Sequence, residues 1–80
     1  MLFTDPMVWS SEHVREWVEW TIAEYSLHGV ELNAFAKING RMLCSMVKED
    51  FYRVTLPKNA EVFMSHLNWL RRSKWSIWLC

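Results

Sequence analysis

The sequence predicts an all-α bundle in which a long first helix and a long last helix enclose several short ones. Three observations carry that reading. Val14, Trp17, Val18, Thr21, Ile22 and Tyr25 recur at the i, i+3, i+4, i+7 spacing of a single helical face. Val62, Phe63, His66, Leu67 and Leu70 repeat the pattern towards the other end. Between them, no stretch sustains the period-2 alternation of a half-buried strand.

Each element has its own local signals. Asp5-Pro6 favours an extended or turning approach to the first helix. Ser10 is a natural N-cap, because its hydroxyl can accept a hydrogen bond from a backbone N–H that the first turn leaves unpaired. Glu12 follows in that turn, where the helix dipole favours negative charge. Trp9, just before the cap, is placed to staple against a first-turn neighbour. Arg15, Glu16 and Glu19 lie off the apolar face, and Gly29 is the expected C-terminal stop.

The segment from Glu31 to Ile38 has room for barely two turns, with Leu32 and Phe35 spaced three apart, and Asn39-Gly40 turns the chain. Arg41 to Ser45 and Lys48 to Val54 supply two further short helices, the second with Phe51 and Val54 spaced three apart. Pro57 stops that run by disfavouring the α region for Leu56. The last helix is expected to start at Asn59 as N-cap, with Glu61 in its first turn, and to run to about residue 72. The expected core comprises Trp9, Val14, Trp17, Val18, Leu43, Cys44, Phe51, Phe63, Leu67 and Leu70.

Size and composition narrow the function classes. Eighty residues make one domain with one core and a stability of a few kcal/mol. Nine basic residues balance nine acidic ones, so no global field attracts nucleic acid or an acidic membrane surface. No apolar run approaches the roughly 18 residues of a membrane span, and MLFTDP lacks the charged and apolar regions of a signal peptide. Two cysteines, Cys44 and Cys80, are fewer than a small secreted scaffold usually carries, which favours a reducing intracellular setting.

Catalytic chemistry finds little support. His13, His28 and His66 are far apart, and no Ser-His-Asp arrangement or Gly-rich phosphate loop is legible. Cys44 sits among Leu43 and Met46 with nothing nearby in sequence to lower its pKa, so it reads as a small buried hydrophobe. The cysteines and histidines show none of the short ligand pairs of a structural zinc site, and no cofactor is implied. Glu49 and Asp50 are adjacent and diverge by about 100° on a helix, which suits a first-turn electrostatic role. His66, on the inner face of the last helix, reads as packed and hydrogen-bonded.

Arg71, Arg72 and Lys74 beside Trp75 and Trp78 offer an alternative, a nucleic-acid-binding module that grips single strands with basic and aromatic groups. A cationic last turn is also the ordinary complement of the helix dipole, and a wider basic surface is missing. The tail from Ser73 to Cys80 carries Trp75, Ile77 and Trp78, which either cover the core or form an apolar patch for a partner.

These residues together resemble the SAM-like pointed domain of ETS transcription factors. Asp5-Pro6, Trp9-Ser10, Val14, Trp17, Val18, Trp20 and Glu24-Tyr25 are similar to the opening of that domain. Asn39-Gly40, Leu43-Cys44, Met46 and Glu49-Asp50-Phe51 are similar to its middle. Ser65-His66-Leu67 with Leu70-Arg71 is similar to its last helix, most of all in the ERG/FLI subgroup. The resemblance covers residues 5–72 and leaves the Trp-rich tail, 73–80, outside it.

The resemblance implies a five-helix, non-catalytic protein–protein interaction domain of a nuclear transcription regulator. DNA binding in that family belongs to a separate winged-helix domain, which nothing here resembles. The implied partners are other transcription regulators, a kinase, or weakly the domain itself, with no membrane. Some pointed domains polymerise through two apolar patches, but Lys37, Arg41, Lys48, Lys58 and Glu61 are spread over the corresponding segments, so no tight polymer is expected. With Arg71, Arg72, Trp75 and Trp78 they make up the candidate interaction surface. Other relatives dock a MAP kinase beside a Ser/Thr-Pro phosphoacceptor; here the two prolines follow Asp5 and Leu56. Val47 stands where family members commonly place Ser or Thr to form a capping box with the residue matching Asp50.

Overall fold

The computed structural model describes the backbone of residues 5–79 and the side chains of residues 5–70. A 3₁₀ turn, Pro6–Val8, opens the chain, with the Asp5 carboxylate accepting from the Met7 N–H at 3.0 Å. Helix α1 follows over Ser11–Tyr25. Ser10 caps it, its hydroxyl accepting from the His13 N–H at 3.3 Å while His13 Nδ1 accepts from the Ser10 N–H at 3.3 Å. Histidine thus takes the returning half of a capping box usually filled by Glu or Gln.

The far end of α1 departs from the expected stop. Ser26, not Gly29, takes the left-handed conformation (φ 52°), and the N–H groups of Ser26 and Leu27 both reach back to the Ile22 carbonyl. This is a Schellman-type closure with serine in the position usually held by glycine. Gly29 has φ 77° further along, in the loop, where Leu56 closes over it.

The middle of the chain holds short elements, as expected, but Leu32–Phe35 is a 3₁₀ turn in place of an α-helix. Four residues close too few i→i+4 bonds to offset nucleation, whereas i→i+3 bonds suit so short a piece. The described residues therefore form four α-helices with two 3₁₀ turns. Helix α2, Gly40–Ser45, is capped by Asn39, whose Oδ1 accepts from the Met42 N–H at 2.9 Å. Asn39-Gly40 is thus a cap and a first helical residue, where the sequence suggested a turn.

Gly40 has a different task from turning. Its N–H donates to the Trp9 carbonyl at 2.8 Å, and a Cβ there would collide with the Pro6 carbonyl oxygen and lie 2.8 Å from the Trp9 nitrogen. Absence of a side chain lets α2 seat against the N-terminal turn, the two elements packing closely. Cys44, placed in the core by the sequence, is half-buried. A six-residue helix turns one narrow face inward, Leu43 occupies it, and the next residue lies about 100° around.

Helix α3, Lys48–Val54, begins at Val47, which offers no side-chain acceptor. Only half of a capping box forms: Asp50 Oδ2 accepts from the Val47 N–H at 3.0 Å. Helix α4 spans Pro57–Leu79, longer at both ends than expected. Pro57 occupies the first turn, where its missing N–H costs nothing and its fixed φ suits the helix. Asn59 is therefore not the cap. It is buried within the first turn, and its Nδ2 donates to the His28 carbonyl at 2.7 Å and to Thr55 Oγ1 at 3.2 Å.

The core draws on every element. Trp9, Val14, Trp17, Val18, Phe35, Leu43, Phe51, Ala60, Phe63, Leu67 and Leu70 are buried together. Phe63 of α4 is the hub: its ring centroid lies 5.4 Å from Trp17, 5.6 Å from Phe35 and 6.4 Å from Phe51. Trp9 packs 5.9 Å from Trp17, two turns into α1 rather than in its first turn.

Two substitutions check this architecture. Gly40→Ala should lower stability by about 3 kcal/mol through forced overpacking, visible as a much lower denaturant midpoint. Val47, 55% exposed, blocks nothing in the core; Val47→Thr should add the missing acceptor and about 1 kcal/mol, raising Tm by several degrees.

Candidate functional site

Of the residues weighed for catalysis or metal binding, the side chains of His13, His66 and Asp50 have structural roles. His13 completes the α1 cap, and the His28 carbonyl ties the loop to Asn59. Asp50 caps α3, and its second oxygen lies 3.9 Å from Arg53 Nη1, an exposed pair worth little to stability. Glu49 is exposed. Among the described residues, no three His, Cys, Asp or Glu side chains converge as a metal site.

Of the candidate interaction surface, Lys37, Arg41, Lys48, Lys58 and Glu61 are all exposed, on the second 3₁₀ turn's flank, on α2 and α3, and in the first turns of α4. The side chains of Arg71, Arg72, Trp75 and Trp78 lie outside the described residues, as do those of Lys74 and Cys80.

What sequence reading did not assemble is an aromatic groove between α1 and α4. It begins in the core. Trp17, fully buried, donates its indole N–H to His66 Nδ1 at 2.8 Å. The two rings lie 8° from coplanar with centroids 6.0 Å apart, the disposition of an in-plane N–H···N bond. A neutral His66 that accepts at Nδ1 carries its proton on Nε2. Thr21, buried one turn on, returns its hydroxyl to the Trp17 carbonyl at 2.8 Å.

From His66 the cluster opens outward. Trp20 lies against the imidazole, 4.9 Å away and 26° from parallel, and Trp69 lies 5.9 Å away at 10°. Tyr25 stands edge-on to Trp20, 6.4 Å away at 87°. Together with Ser65 these side chains line an open groove of about 480 Å³. Tyr25, assigned to the buried face by spacing, is half exposed at the last position of α1, with its ring 6.3 Å from His66. Trp69 is 58% exposed. The available signal was Trp69 three residues after His66, a large aromatic bordering the inward face of α4.

A model of the sterile alpha motif (SAM)/Pointed domain matches residues 1–74. The chain belongs to the SAM/Pointed family. Its relatives are ETS-family factors. It is 51% identical over 73 residues to the retroviral integration site protein Fli-1 homolog of Xenopus laevis, an alignment covering 91% of this chain and 16% of that protein. It is 51% identical over 69 residues to the Friend leukemia integration 1 transcription factor of Homo sapiens (86% and 15%). To the transcriptional regulator ERG of Homo sapiens it is 46% identical over 69 residues (86% and 14%). The chain thus spans about a sixth or less of the length of these relatives. The family is a domain family and not a catalytic one.

Within this SAM/Pointed domain, His66 makes stability depend on pH. Burial pushes its pKa below the ordinary histidine value of 6.5. The unfolded ring therefore binds a proton first as pH falls, and a protonated Nδ1 would turn a donor towards the Trp17 N–H. The contribution is complete above pH 6.5 and is lost as pH drops through the folded-state pKa. The urea midpoint should fall between neutral and mildly acidic pH, with the slope reduced in His66→Gln, which keeps an acceptor but does not titrate.

Proposed function

We propose that this chain is a non-catalytic protein–protein interaction domain of an ETS-type transcription regulator, acting in the nucleus. Family membership carries the reading. The chemistry of the described residues supports it, because His13, His66 and Asp50 are occupied in caps and core bonds. Partner proteins are other transcription regulators or a kinase. DNA recognition is left to a separate domain of the whole protein.

Self-association is at most weak. Lys37, Arg41, Lys48, Lys58 and Glu61 are exposed charges over the segments where a polymer contact would need apolar surface, and each would have to be desolvated on tight packing. Light scattering at low micromolar concentration should return the monomer mass; large oligomers would overturn this part of the proposal. Titration with RNA hairpins over a range of salt should give no saturable binding. A steep loss of affinity with salt would instead favour a nucleic-acid-binding module built on Arg71, Arg72 and Lys74.

A further inference from the structure

The groove between α1 and α4 combines exposed aromatic faces with an acidic border. Glu16 and Glu24 sit four residues before and after Trp20, so the three share one stripe of α1. Both glutamates are exposed, and neither is in an ion pair among the described residues. Arg15, the one Lys or Arg of α1, lies about 140° around the helix from Trp20. Across the groove, Pro57 to Leu70 of α4 carry Glu61 and one cation, Lys58, exposed two turns before Ser65. Beside the lining residues the two described walls therefore present carboxylates and ring faces, with Lys58 set back two turns from Ser65.

We propose that this groove docks an arginine-bearing basic segment of a partner protein, with a guanidinium against Trp69 and Tyr25 and with Glu16 and Glu24 as its counter-charges. The inference rests on the interaction-domain reading above and names the chemistry of the partner. Ring faces attract cations, and the planar guanidinium both stacks on an indole and pairs with carboxylates, which a lysine ammonium does less well. A volume of about 480 Å³ exceeds one guanidinium, so a length of peptide fills it better than a small free cation. Holding Trp69 beside a buried His66 also presents its face with little ordering left to do on binding.

The test is a titration of the whole chain with three short peptides alike except at one position, arginine, lysine or glutamine, followed by the indole N–H signals in NMR. The arginine peptide should shift the Trp69 signal most and bind tightest. Trp69→Ala, and separately Glu16→Gln with Glu24→Gln, should each weaken it about tenfold while leaving the melting curve close to that of the parent. Equal binding of the glutamine peptide, or binding indifferent to Trp69→Ala, would overturn the proposal. So would an increase in affinity on Arg72→Ala, which would mean that the chain's own arginine takes the position. Those outcomes leave the interaction-domain reading intact; salt-sensitive RNA binding would overturn that reading instead.

Discussion

A buried indole N–H has to be paired, and in this domain the pairing of Trp17 with His66 organises what lies around it. The donor and acceptor are 49 residues apart in sequence, on the first and last helices. Leaving either unpaired in the core would cost about 1–3 kcal/mol, a large share of the stability of so small a domain. The bond therefore does more than add to the total. It selects one rotation and one register of α1 against α4, because a shift by one residue would bring neither nitrogen opposite the other. Phe63, one turn before His66, then meets Trp17, Phe35 and Phe51 as a consequence of that register.

The same register creates the surface feature. Trp20 is one turn beyond Trp17, and Trp69 one turn beyond His66, so fixing the inner pair brings the outer pair to the rim of the same seam. Core and groove are two ends of one aromatic cluster, graded from fully buried Trp17 to largely exposed Trp69. A surface supported from beneath by a well-packed core is held in shape, which suits the docking role proposed for it. Two further ties hold the short elements to this frame. Gly40 allows α2 to lie against the Pro6–Trp9 turn, and Asn59 binds the loop after α1 to the start of α4.

Several local devices were legible because their physics is local. Ser10 announces a cap because a hydroxyl at that position meets an unpaired N–H whatever the rest of the chain does. Val47 announces a missing one for the same reason. Elsewhere the nearest-neighbour logic chose between two allowed outcomes and chose the other one. Asn39-Gly40 can turn a chain or open a helix, and only the approach of Pro6 and Trp9 explains the glycine. Asn59 can cap a helix or reach across to another segment, and Pro57 claimed the earlier start. Ser26 closes α1 before Gly29 can, since the two N–H groups following Tyr25 already satisfy the Ile22 carbonyl. Of the groove, the aromatic residues were visible one by one, but nothing in their spacing along two separate helices says that they meet.

By itself the sequence determined the helical class, the two long helices with their inward stripes, the family resemblance and the cap at Ser10. The class, the stripes and the cap follow from periodicity and from bonds made within a few residues, and the resemblance from particular residues at matching positions along the chain. The tertiary structure decided the pairing of Trp17 with His66, the reason for Gly40, the half-buried place of Cys44 and the existence of a groove at Trp20, Tyr25 and Trp69. Each depends on the rotation of one element against another. That rotation is set by which buried groups must be satisfied together, and residues 49 positions apart carry no local sign that they will be.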